Sequence, residues 1–325
     1  MPMTLAKGTI RTMAGGLGAA AMLAAALAPA ASASPFDPSG VLKIAKHAGA
    51  HFNTNQSTNW FGYNAGTLER GALFNSVTAD WTVPTATQHK SGEPESSATW
   101  IGIGGGCLDA SCGINDATLI QTGTEQDVDA SGHATYSAWW ELVPVPSVTI
   151  SKMSVSPGDH IHASVAEVVP DSELWTITLN DVTKKESFST TVPYVSTHST
   201  AEWIEETPLT IGSGGTGQAS LPGLTPALFT NATVNGASAR LAPAEELQLI
   251  DSSGKVIGTP SAPNAQANGF AACAWASSCG LPTAAPVQTR KPAAPKHRPA
   301  RRRHTAHKHK HRAKHPRRAK HRRAR

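Results

Sequence analysis

Two polar side chains stand beside apolar neighbours in strand-like stretches of this sequence: Gln121 after Leu119 and Ile120 in ATLIQTG, and Glu202 next to Trp203 in STAEWIEE. Read as extended strands, Gln121 shares a face with Leu119 and Gly123, and Glu202 shares one with Ile204. A third polar residue, Glu141, follows the AWW run. An amide or carboxylate beside Trp and Ile costs free energy unless it is paired or set in a cleft, and a cleft is where a catalytic acid belongs. A carboxylate with a carboxamide can supply three things that acyl cleavage needs. The ionised carboxylate takes a proton from water, the amide N–H stabilises an oxyanion, and the protonated carboxyl gives its proton to the leaving group. On pattern alone, an equally good reading makes all three residues ordinary rim positions of a β-sandwich.

The commoner hydrolytic sets are absent from the sequence: it contains no HExxH pair and no GxSxG elbow. Half of the 14 His lie in the last 36 residues, and His160 with His162 is the one close pair in the body of the chain, from Gln56 to about Gly280. Two apart on a strand, these two share a face; a metal site is one reading and a solvated sheet face the better one. No cofactor is expected. Four cysteines fall in two close pairs, Cys107 with Cys112 and Cys273 with Cys279, which predicts two local disulfides rather than a four-Cys metal site.

The elements that must carry these residues read as all-β. From Gln56 to about Gly280 the chain is rich in Thr, Ser, Val, Gly and Trp, with turn residues every ten or so positions, as in an antiparallel β-sandwich of two curved sheets. Thr99–Ile103 reads as a strand leading into a Gly104-Gly105-Gly106 loop, Thr118–Thr122 as a second, and Ala134–Val143 as a third. His160–Val169, Trp175–Leu179 and Thr200–Glu206 alternate apolar and polar residues. Asn180-Asp181 reads as a hairpin turn, with the return strand carrying Phe188, Thr190 and Val192.

TWIGIGG, TLIQTG, YSAWWELVP and STAEWIEE, in that order and spacing, resemble the eqolisins, the glutamic peptidases. The likeness begins at STNWFGYN and extends weakly to about Trp275. It implies Gln121 and Glu202 as the catalytic pair, and Trp100, Trp139 and Glu141 as residues lining the substrate cleft. It also implies an acid endopeptidase acting on polypeptides, one that resists inhibitors aimed at paired aspartates. Two positions depart from the family pattern. An aspartate usually follows the WxGI strand where Gly104 stands here, and the aspartate soon after QTG is Glu125. The first change removes a carboxylate expected to tune Glu202.

Both ends differ from the body. Lys7 and Arg11 precede an apolar run, Met13–Ala28, and a small-residue site, Ala31-Ser32-Ala33, so residues 1–33 read as an export signal. Residues 34–55 read as a short basic prosegment or a spacer, with VLKIAKHAGAHF as a weak amphipathic helix. Residues 56–282 form the sandwich. Residues 283–325 are Pro/Ala-rich and then basic, with 17 Lys and Arg from Arg290 onward and no acid, so the chain before Arg290 carries about −12. Such a tail reads as disordered. It suits an anionic cell wall, a membrane surface or another polyanion, and with the signal it predicts a secreted monomer retained at the cell surface. Two other functions fit parts of the pattern. One is a lectin-like binder stacking sugars on Trp100, Trp139 and Trp140, and the other is a glycosidase using Glu141 and Glu202.

Overall fold

The computed structural model describes residues 42–43, 56–112, 114–212 and 215–282. The chain divides into two units, Met1–Pro282 and Thr283–Arg325. The second unit lies outside the described residues, as do the proposed signal and nearly all of residues 34–55.

Strands of five or more residues are numbered here. They are β1 (Trp60–Gly66), β2 (Ser76–Thr82), β3 (Glu95–Gly104), β4 (Leu119–Val128), β5 (Ala134–Val143), β6 (His160–Glu167) and β7 (Leu174–Asp181). The rest are β8 (Glu186–Pro193), β9 (Thr200–Glu206), β10 (Ala227–Val234), β11 (Glu246–Ile250), β12 (Val256–Pro260) and β13 (Phe270–Ala274). They build two sheets. The first runs β8-β7-β6-β2-β10-β13-β12-β11 and the second β11-β1-β9-β3-β4-β5, so that β11 belongs to both. Every pairing among these strands is antiparallel. Helix is confined, among the described residues, to one four-residue turn, Thr67–Arg70, and a 3-10 turn, Pro243–Glu245.

Period-two alternation explains the packing. Val77, Ala79 and Trp81 of β2, Ile161, Ala163 and Val165 of β6, and Trp175, Ile177 and Leu179 of β7 face inward from the first sheet. Phe61 and Tyr63 of β1, Ile101 and Ile103 of β3, Ile120 of β4, and Ala201 and Trp203 of β9 meet them from the second. Each buried Ile or Phe contributes about 1.5–3 kcal/mol relative to exposure. The tryptophans also bring polar ends that need partners, and Trp81 Nε1 donates to Thr124 Oγ1 at 3.1 Å and Trp203 Nε1 to Thr78 O at 3.0 Å. These two bonds cross between the sheets and fix their stacking.

Two expectations about elements need correcting. Strand β7 runs through Asn180 and Asp181, and the turn is the next four residues, 182–185, because Asp181 pairs with Glu186. Its carboxylate accepts the backbone N–H of Lys184 at 2.8 Å and so closes the turn from the strand end, as an Asx side chain does. In the segment read as a weak helix, Leu42–Lys43 form a short strand antiparallel to Leu209–Gly212. The remainder of that segment lies outside the described residues.

Both expected disulfides form. Cys107–Cys112, with Cα atoms 4.9 Å apart, pins the loop between β3 and β4, and Cys273–Cys279 pins the exit from β13.

Candidate active site

The second sheet has two buried faces. One packs on the first sheet; the other carries a separate apolar cluster of Trp60, Ala98, Trp100, Leu119, Trp139, Ile204 and Leu247. Along that second face the strand register sets polar and apolar rows in turn. One row reads Asn64 (β1), Glu202 (β9), Gly102 (β3), Gln121 (β4) and Glu141 (β5). The next reads Gly62, Ile204, Trp100, Gly123 and Trp139. Gln121, Glu202, Glu141, Trp100 and Trp139 all fall on these two rows.

Gln121 and Glu202 therefore share a face, but they do not come from neighbouring strands. Strand β3 runs between them, which separates their backbones by two strand spacings, roughly 9.5 Å. At the intervening position stands Gly102, which has no side chain to part them. A Cβ built there would sit 2.8 Å from Leu119 Cδ1 and 3.0 Å from Trp100 Cζ3. Gly123 serves the next row in the same way, since a Cβ on it would lie 2.5 Å from the Trp100 Cβ. Glycine inside a strand is what such close approach requires.

Both residues of the pair have no exposed surface. Gln121 Nε2 donates to Glu141 Oε2 at 2.6 Å, which orients the carboxamide along the row. Gln121 Oε1, Glu141 Oε1 and both Glu202 oxygens have no hydrogen-bond partner. Burial pushes the Glu202 carboxyl well above the ordinary range, and the nearby Asp116 carboxylate pushes the same way. The Thr200 hydroxyl and the Gly106 N–H pull in the opposite direction. Neither makes a geometric hydrogen bond to Glu202, and the Gly106 N–H is given to Thr200 Oγ1, 3.2 Å away. Burial likewise raises Glu141, against the Gln121 bond.

Two rows from the pair, Glu206 accepts Trp100 Nε1 at 2.8 Å and Asn59 Nδ2 at 3.3 Å. Burial lifts its pKa to about 7 despite those donors. Glu205 points the other way, into the space between the sheets, accepts Thr99 Oγ1 at 2.6 Å, and is lifted by burial to about 8.

The structure redistributes several of the roles read from the motifs. Trp100 and Trp139 lie in the apolar cluster of this face, but Trp140 packs against the core between the sheets, so the three indoles make no common platform. Glu141 binds Gln121 and stands three strand spacings from Glu202, roughly 14 Å between backbones. Its carboxylate is engaged by the Gln121 carboxamide, which lies between it and Glu202 in the row. Gly104 has φ +96, and a Cβ there would meet Thr118 O at 2.0 Å, so a side chain does not fit at that position. The carboxylate that acts on Glu202 is Asp116, from the same loop, buried and held by Thr118 N at 2.9 Å, Thr118 Oγ1 at 3.0 Å and the Thr197 hydroxyl. Nothing in the sequence around Asp116 announced this, because the loop that delivers it has no periodicity. His160 and His162 lie half exposed on the outer face of the first sheet beside Asp80, with His162 Nδ1 2.6 Å from Asp80 Oδ1. Among the described residues, no group of three or more His, Cys, Asp or Glu is arranged to hold a metal ion.

Comparison with known proteins agrees with this architecture. The model of the Peptidase A4 family matches residues 58–268. Aspergillopepsin-2 of Aspergillus niger is 26% identical over 245 residues, spanning 69% of this chain and 80% of its own. Scytalidopepsin B of Scytalidium lignicola is 32% identical over 108 residues, 33% of this chain and 35% of its own. Among solved structures, scytalido-glutamic peptidase with a peptide-based transition state analog superposes with a TM-score of 0.53 at 23% identity, covering 67% of this chain and 98% of that one. The structure of SCP-B in complex with the tripeptide Ala-Ile-His gives 0.50 at 22% identity, with the same coverage.

Proposed function

This chain belongs to the Peptidase A4 family, the eqolisins, and is a glutamic peptidase, and on that premise we propose that Glu202 and Gln121 are its catalytic pair in an exported, acid-active endopeptidase. The observation that carries this reading is the single cross-strand row in which a carboxyl and a carboxamide stand astride Gly102.

Ionised Glu202 takes a proton from a water molecule, whose oxygen attacks the scissile carbonyl carbon. Gln121 has two N–H groups. One is given to Glu141, and the other is left for the oxyanion that forms. The amine leaves with the proton that Glu202 collected, and the carboxylate is restored.

With no exposed surface on either side chain, a substrate reaches the pair only when this face opens. Burial favours the neutral acid of Glu202, and water entering beside its unpartnered oxygens restores the solvation that lets it ionise. A carboxyl that must be both base and acid cycles best in acid. Trp100 and Trp139, on the adjoining row, supply apolar walls for the substrate.

Glu202→Gln and Gln121→Ala are each expected to abolish digestion of denatured casein at about pH 4, with the far- and near-UV circular dichroism unchanged. Substantial activity in either folded variant removes that residue from the mechanism. The export signal and the basic tail support secretion with retention at a polyanionic surface. Removing Arg290 to Arg325 is expected to shift the enzyme from the cell fraction to the medium at low salt. Unchanged partitioning would refute retention by the tail.

A further inference from the structure

We propose that Asn64 is the positioning residue for Glu202, its side-chain oxygen accepting the carboxyl O–H and holding the glutamate in its acid form before substrate arrives. The inference takes Glu202 as the working carboxyl of the proposed reaction, but the contact stands on geometry of its own.

Asn64 lies directly opposite Glu202 on the adjacent antiparallel strand, on the same face. Their Cβ atoms are therefore about 4.5–5.5 Å apart. Asn64 is 6% exposed and Glu202 is 0% exposed, so bulk water does not reach the carboxyl. The orientation of the Asn64 amide is settled by its other end, where Nδ2 donates to the carbonyl oxygen of Cys107 at 2.8 Å. Turning the amide over would set Oδ1 against that carbonyl, two acceptors with no proton between them. The Asn64 oxygen therefore faces Glu202.

Its close approach to Glu202 is measurable at Gly106. A Cβ built on that glycine would fall 1.5 Å from Asn64 Oδ1 and 2.7 Å from Glu202 Oε1, so both oxygens crowd one point beside the loop. Both also lack a hydrogen-bond partner. Two buried acceptors in that position are compatible only if one carries a proton, and an amide oxygen does not. The proton belongs to Glu202.

The charged surroundings favour the same state. Asp116, from the loop over this end of the face, is the charged group acting directly on Glu202. Along the sheet the next carboxylates are Glu141 and Glu206 on the same face and Glu205 on the opposite one. None of them brings a cation. Cys107, whose carbonyl anchors Asn64, is itself tied to Cys112. The disulfide loop thus reaches Glu202 through one amide. Gly106 is the residue that leaves room for the contact.

The test follows the Glu202 carboxyl by 13C NMR in protein labelled at the glutamate carboxyls, with its signal identified by loss in Glu202→Gln. Asn64→Val removes the acceptor, and the Glu202 midpoint is expected to fall by about one pH unit, a tenfold change in proton affinity. Asn64→Asp installs a second carboxyl that shares the proton, and the midpoint is expected to rise by about one pH unit or more. Asn64→Ser serves if the valine variant does not fold, with an expected shift downward. The limb of kcat/KM against pH that reports Glu202 should move with the midpoint, whereas a merely structural role would lower activity at every pH alike. A midpoint unchanged in the folded variants overturns the proposal. A midpoint that moves while Glu202→Gln keeps full activity instead overturns the catalytic assignment and leaves the contact standing.

Discussion

The outer faces of the two sheets are built by the same alternation rule, and they treat polar groups in opposite ways. On the first sheet, hydroxyls pair across strands: Thr78 with Thr233 at 2.6 Å, Thr176 with Thr191 at 3.1 Å and Thr178 with Ser189 at 3.3 Å. His162 has Asp80. Each partner there is short, local and near water. On the second sheet the corresponding face is dry, its Gln121 and Glu202 have no exposed surface, and three of their four side-chain oxygen and nitrogen atoms are unpartnered. On the proposed assignment, stability and reactivity are kept on separate surfaces. Satisfied hydroxyls on a wet face stiffen a sheet and do no chemistry. Unsatisfied carboxyls on a buried face cost free energy and hold a proton at pH values where an ordinary glutamate has lost it.

Three experiments test that contrast, beginning with the largest expected effect. The buried glutamates of the second sheet make the fold prefer acid. Glu205 and Glu206 have folded pKa values of about 8 and about 7, against about 4.3 for an unfolded glutamate. The folded chain then binds more protons than the unfolded chain between those limits. Their contribution is full below about pH 4.3 and is lost as pH rises through 7 and 8, at roughly 1.4 kcal/mol for each tenfold difference in proton affinity between the folded and unfolded chain. Melting temperatures measured at pH 4, 6 and 8 should fall in that order. Glu205→Gln, which cannot ionise, should flatten the decline. A melting temperature that rises toward pH 8 would reverse the argument.

A smaller effect is expected at the floor of the site. Gly102→Ala adds a methyl that meets Leu119, Trp100 and the Ile120 carbonyl within 3.1 Å, and it stands between the two members of the pair. We expect kcat/KM to drop about tenfold or more, which corresponds to about 1.4 kcal/mol or more of transition-state stabilisation. Kinetics at the parental level would mean that the pair does not work across that position. Least affected should be Thr178→Ala on the wet face. Denaturant titration should place it within about 0.5 kcal/mol of the parent, with digestion unchanged. A loss comparable to that of Gly102→Ala would erase the distinction between the faces.

Much of this was legible in the sequence, for a physical reason: strands declare themselves through period two. Ala134–Val143 and Thr200–Glu206 were readable to the residue. So was the sharing of a face by Gln121 and Gly123. What alternation cannot convey is which strand lies beside which. Nothing local to TLIQTG or STAEWIEE says that the WIGI strand runs between them, or that Asn64 comes opposite Glu202. Those facts depend on pairing between distant segments. Loops were less readable still. The Asp116 carboxylate arrives through the disulfide-tied connection between β3 and β4, and the turn at 182–185 is displaced by the side chain of Asp181 rather than by turn propensity. Gly104 reads in the sequence as the loss of a carboxylate, whereas its backbone, at φ +96, excludes any side chain.

Strand β9 has a consequence in time as well as in space. It pairs with β1 on one side and β3 on the other, and Asn59 beside β1 meets Glu206 at the end of β9 across 147 positions of chain. Contacts so far apart form late, after the intervening segments have condensed. A ribosome must therefore deliver the greater part of the sandwich before the proposed pair can exist, and a nascent or truncated chain ending ahead of Thr200 carries Gln121 without Glu202. On the proposed assignment, the order of synthesis alone withholds the pair from an unfinished chain.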